Sequence, residues 1–151
     1  MADPRTLLQR LHDHPRGPRP GVDEDAALAA SVLANLDQLL GTVRGACRLD
    51  PEYGFPALSE FVHAMPKRAC DDPEQPLLQE MRRSLLRLVE RHEPRLHVAP
   101  DGVQVIADRA DPLMLGFEIR GTLRREHGPG AEVRCQASVT REGSWQVVED
   151  L

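Results

Sequence analysis

Along this chain the spacing of apolar residues changes once, near residue 95. Before that point they recur three and four apart, the period of a helix; after it they fall at every second position, the period of a strand. In "PRTLLQRLHD" (4–13) Leu7, Leu8 and Leu11 follow a proline suited to a first helical turn, which predicts a short amphipathic helix. From Glu24 to Leu40 a second stripe runs through Leu28, Val32, Leu36, Leu39 and Leu40. Asp23 stands at its N-cap position, and acids fill its first turn, where the helix dipole favours them. A short helix is predicted near 58–64. In "PLLQEMRRSLLRLVERHE" (76–93) the stripe is Leu77, Leu78, Met81, Leu85, Leu88 and Val89, with Arg82, Arg83, Arg87, Glu90 and Arg91 on the opposite face.

Beyond Arg95 the alternating positions are Leu96 and Val98, then Val103, Val105 and Ala107, then Leu113, Leu115, Phe117, Ile119 and Leu123. Val133, Cys135, Ala137 and Val139 continue the pattern against Arg134, Gln136, Ser138 and Thr140, and Trp145 with Val147 predicts a last strand. "PDG" at 100–102 and "HGPG" at 127–130 are turn sequences, so neighbouring strands are expected to pair antiparallel. The predicted class is α+β, with N-terminal helices packed on one face of a C-terminal, largely antiparallel sheet of about 4–5 strands. Strict alternation leaves the other face of the sheet to water or to a partner. The segment 14–22, "HPRGPRPGV", holds three prolines and two glycines, the composition of an extended tether. Residues 1–22 are therefore expected to be a tethered amphipathic helix and linker, and 23–151 one α+β domain.

Composition narrows the function. Aromatics are 3% of the 151 residues, so the expected core is aliphatic. The formal net charge of −5 argues against nucleic acid or an anionic membrane as the main partner. No stretch has the length of a membrane span, and the N-terminus lacks the layout of a secretory signal, which makes the cytoplasm the expected compartment. Cys47, Cys70 and Cys135, an odd number without a CxxC, read as reduced, structural thiols.

Candidate chemistry centres on "RHEPRLHV" (91–98). "HEPRLH" superficially matches the zinc-protease helix, but His92 and His97 are one residue too far apart for HExxH and Pro94 breaks the helix between them, so no metal is expected. Glu52, Glu60 and Glu93 are the candidates for a carboxylate-pair hydrolase, whose two carboxyls must stand about 5–9.5 Å apart. No GxSxG, phosphate loop or GxGxxG is present, and no cofactor is expected. The residue before a proline avoids the α region, so Glu93 should leave the helix and Arg95 begin the strand. By strand parity Leu96 and Val98 face the core. Arg95 and His97 are then sent to the opposite face, where the guanidinium pairs with a partner's carboxylate or with Glu93 or a loop carboxylate of its own chain.

Four stretches in this order, "RTLLQRL", "SVLANLDQLLGTVRG" (31–45), "DPEYGFPALSEF" (50–61) and "HEPRLHV" leading into "LGFEIRGTL", resemble the TssE family. TssE is the type VI secretion baseplate subunit related to the small wedge protein of contractile phage tails, in a family once labelled lysozyme-like. The resemblance implies a cytoplasmic, non-enzymatic wedge component, assembled at the inner-membrane-docked baseplate with TssF, TssG and TssK. It also implies a likeness to the handshake domain of the sheath proteins TssB and TssC, whose polymerisation the subunit would template. The family's EPR residues, matched by Glu93, Pro94 and Arg95, are associated with holding the subunit in the wedge. The family's "LLNTR" is "LLGTVRG" here: Gly41 takes the asparagine position, and Arg44, the matching arginine, is displaced by one. Leu7, Leu8 and Leu11 would be a second anchor. The alternatives are a cytoplasmic anti-adaptor, the regulatory binding protein of the same family, and a peptidoglycan hydrolase.

Overall fold

The computed structural model describes residues 24–57, 76–106, 115–125, 130–140 and 142–150. Helix α1 (Glu24–Gly41) and helix α2 (Pro76–His92) are followed by strands β1 (Leu96–His97), β2 (Val103–Ile106), β3 (Leu115–Leu123), β4 (Glu132–Val139) and β5 (Trp145–Glu149). The fold is α+β, as the change of period requires. The expected helices at 4–13 and 58–64, the Asp23 cap, Ala107, Leu113, Cys70, Glu60 and most of the 127–130 turn lie outside the described residues.

Both helices bury the stripes read from the sequence. Val32, Leu36, Leu39 and Leu40 of α1 and Leu77, Leu78, Met81, Leu85, Leu88 and Val89 of α2 join one core. The sheet contributes Leu96, Val98, Val103, Leu115, Phe117, Ile119, Leu123, Val133, Cys135, Ala137 and Val139 to the same core. Full burial of each large aliphatic side chain stabilises the fold by about 1.5–3 kcal/mol. The packing is not aliphatic throughout, however. Phe55 and Phe117 are among the largest buried side chains, and Trp145 meets them at ring-centroid distances of 4.9 and 6.3 Å. A low aromatic fraction limited the number of rings but not their place.

β3 is the central strand. It pairs antiparallel with β4 along one side, from Leu115 opposite Val139 to Thr122 opposite Glu132, and with both β2 and β1 along the other. β5 pairs antiparallel with β4 and ends the sheet. The residues that alternate with the core positions, among them Gln104, Glu118, Arg120, Arg134 and Gln136, are half-buried or exposed on the second face.

The connection after α1 is ordered by its own hydrogen bonds. Arg44 N donates to Phe55 O at 2.9 Å and Phe55 N to Thr42 O at 2.9 Å, closing a short parallel bridge between Val43 and Phe55. Gly54 makes this possible: its φ is +108°, and a Cβ there would lie 2.4 Å from Thr42 O. The bridge carries Phe55 into the core.

Candidate functional site

At the end of α2 the backbone makes the predicted joint. Glu93 N still donates to Val89 O at 2.8 Å, Pro94 lies outside the helix, and Arg95 O accepts from Arg124 N beside β3 at 2.7 Å. Glu93 is fully buried, and the rest of the joint explains how a carboxylate is tolerated there. Its Oε1 accepts from Arg95 Nε at 2.7 Å and Arg95 N at 3.3 Å; its Oε2 accepts from Arg95 Nη2 at 2.7 Å and Asn35 Nδ2 at 2.7 Å. Arg95 Nη1 donates to Ser31 Oγ at 2.8 Å, and Ser31 is itself buried. The fork of the guanidinium matches the two carboxylate oxygens, the arrangement that best offsets the desolvation of both charges.

Arg95 therefore does not follow strand parity to the far face, where exposed His97 lies. With its side chain 25% exposed, it turns back across Glu93 to α1. Of the two placements open to it in the sequence, the pairing within its own chain is the one formed. Pro94 is exposed at the bend. Ser31 and Asn35 were missed as members of the site. They stand one helical turn apart beside the apolar stripe of α1, and that polar pair was the available signal.

A second group of polar side chains borders the joint. His92, the last residue of α2, has a side chain only 9% exposed, with Nδ1 at 3.6 Å from Asp50 Oδ2 and its ring edge-on to Tyr53 at 5.3 Å. Its Nε2 has no hydrogen-bond partner among the described residues. Burial raises the Tyr53 hydroxyl above its ordinary pKa, and Cys47 and Glu93 add to the effect. Cys135 is buried, and burial followed by the charge of Glu149 pushes its thiol up to about 12, so it is unreactive at neutral pH. Among the described residues, no group of three or more His, Cys, Asp and Glu is placed to hold a metal. No described helix is long and apolar enough to cross a membrane.

The other site residues named from sequence are not brought to the joint. Arg44 is half exposed in the ordered connection, with Nη2 3.6 Å from Glu52 Oε2. Leu49 in the same connection is 98% exposed. Leu7, Leu8 and Leu11 lie outside the described residues. Of the hydrolase candidates, Glu93 has both oxygens occupied and Glu52 faces Arg44.

Residues 26–128 match the model of the family described as "Baseplate wedge protein gp25". That range includes most of α1, all of α2, the Glu93–Arg95 joint and β1 to β3. Among solved structures, a Geobacter sulfurreducens protein given as a tail lysozyme superposes with a TM-score of 0.54 at 15% identity, covering 74% of this chain and 88% of its own. That similarity is one of fold. No curated protein matches the chain in sequence.

Proposed function

Since the chain belongs to the baseplate wedge protein gp25 family, we propose that it is a structural subunit of a type VI secretion baseplate wedge, joining the wedge to the contractile sheath and templating sheath polymerisation. Its partners in this reading are the wedge subunits TssF, TssG and TssK and the sheath proteins TssB and TssC, and its place is the cytoplasmic face of the inner membrane. The observation that carries the proposal is the family match running through both helices and the Glu93–Pro94–Arg95 joint. The family's structural role also suits a Glu93 carboxylate already held by four donors, with no lone pair directed to a substrate.

In this reading the joint has two tasks. Glu93 and Arg95 lock α2, β1 and α1 into one body, and the lock presents exposed Pro94 and His97 in a fixed position. Docking then falls to the exposed side of the bend and to Arg44, while Arg95 acts on it through the fold. Leu7, Leu8 and Leu11 remain the proposed second anchor.

Co-purification with tagged chain from a type VI-competent strain tests this reading. Recovery of TssF- and TssG-like subunits with wild type, reduced by Arg44→Ala or by deletion of residues 1–22 in chains whose thermal unfolding is unchanged, is the expected result. Failure of the folded wild type to recover either subunit would overturn the baseplate assignment.

A further inference from the structure

The stretch 14–22, "HPRGPRPGV", carries two cations, Arg16 and Arg19, and no acid. Its prolines favour the extended polyproline helix, which has three residues per turn and rises about 3.1 Å per residue. In that form Arg16 and Arg19 fall on one edge, about 9 Å apart, and Pro15 and Pro18 on the next. The stretch is preset as a two-sided ligand, basic on one edge and apolar on another, and it has little conformational freedom to lose on docking.

The chain delivers this stretch to a groove of matching character. Where the start of α1 meets the ends of β4 and β5, a groove of about 480 Å³ opens. Ala26 and Ala29 of α1 and Ala131, just before β4, give it small apolar contacts. Glu132, Glu149 and Asp150 give it acids, and among the described residues none of the three has an ion pair. Asp25 already accepts from Arg125 Nε at 2.9 Å, and Arg134, the cation of the lining, lies 3.6 Å from Glu118. The groove is left with a surplus of negative charge. Glu24 and Asp25 in the first turn of α1 offset the positive end of its dipole, which would otherwise repel a cation.

Arg19 stands six residues before Asp25, so even a fully extended chain carries it no more than about 20 Å away, and Gly21 allows the turn back. A segment held that close meets the groove at an effective concentration on the order of millimolar. Exposed ion pairs too weak to hold a free peptide then suffice.

We infer that residues 15–20 of the chain dock in this groove, with Arg16 and Arg19 against Glu132, Glu149 and Asp150 and with Pro18 against the alanines. Docking turns the tether into a fixed arm, and the arm sets the direction in which Leu7, Leu8 and Leu11 leave the domain. It goes beyond the baseplate reading and does not depend on it.

Trypsin applied to the full folded chain reads the contact directly, because the protease must take the Arg16 side chain that the groove holds. Cleavage at Arg16–Gly17, measured against cleavage at Arg10–Leu11 in the same sample, follows the undocked population. Glu149→Gln combined with Asp150→Asn raises that ratio about fivefold at low salt, the worth of two exposed ion pairs. Salt at about 1 M raises the wild-type ratio to the level of the variant. Arg19→Ala, which changes nothing in the domain itself, also raises the ratio and decides if the groove variant does not fold. By NMR, Pro18 and Arg19 show Overhauser contacts to the Ala29 and Ala131 methyls, and these vanish in Arg16→Ala/Arg19→Ala.

A cleavage ratio unmoved by Arg19→Ala or by salt, or the lack of those methyl contacts in the wild type, would overturn the proposal. So would protection of Arg16 that disappears on dilution, which would give the groove to the tether of a second copy. Neither readout involves wedge subunits, so the docked arm and the baseplate reading fail separately.

Discussion

Two glutamate–arginine pairs with the same spacing occupy opposite environments: Glu93 and Arg95 at the joint, and Glu118 and Arg120 on the open face of β3. At the joint the side chains are 1% and 25% exposed, and hydrogen bonds reach Asn35 and Ser31 in another helix. On the sheet they are 22% and 37% exposed. There Arg120 Nε lies 2.6 Å from Glu118 Oε1 without hydrogen-bond alignment, and Arg134 Nε lies 3.6 Å from the same oxygen. Spacing alone makes both pairs possible. Desolvation separates them: a buried charge must be fully matched, whereas a hydrated one gains little from its neighbour.

The sharpest way to break the comparison is Arg95→Ala. It strips two of four donors from a carboxylate that water cannot reach. Removing one partner of a buried pair costs about 3–5 kcal/mol, so urea unfolding should show a loss of that size and Tm should fall by roughly 10 °C or more. A loss below about 1 kcal/mol would mean that water takes the place of the two lost donors. Glu93→Gln should cost less, about 2 kcal/mol by the same measurement, because Arg95 is partly exposed and rehydrates on losing its counter-charge. Asn35→Ala should cost about 1.5 kcal/mol, one hydrogen bond to a charged acceptor. A double-mutant cycle of Asn35→Ala with Glu93→Gln should show that the two losses are not additive.

These expectations mark what the sequence could disclose. The 3.6-residue stripes placed both helices within a residue of their observed ends, and alternation identified the core positions of β3 and β4, because burial on one face writes a period into the chain. The "EPR" stretch was legible as a joint, since proline limits the residue before it. Its inward pairing was not decidable, because the other half of the site, Ser31 and Asn35, lies 64 and 58 residues away in sequence from its bonded partner. Such a contact leaves no local pattern beyond a polar pair beside an apolar stripe. That Gly54 carries Phe55 into the core depends on a bridge to Val43 that no spacing rule reveals.

The smallest effect isolates the physical cause. Arg120 and Arg134 stand directly opposite each other on β3 and β4, and the hydrogen-bond alternation makes theirs a position where facing side chains come closest. Glu118 is the anion between them. Glu118→Ala should therefore leave two facing guanidiniums and cost up to about 1 kcal/mol at low salt, since exposed pairs contribute no more than that. Raising the salt to about 1 M shortens the screening length to roughly 3 Å, which should remove most of the cost. The loss in Arg95→Ala should persist at the same salt, because ions cannot enter the space around Glu93. Unfolding both variants at low and high salt thus separates solvent-screened charge from buried charge in one chain. Equal salt responses would show that exposure does not distinguish the two pairs, and the comparison would fail at its physical root.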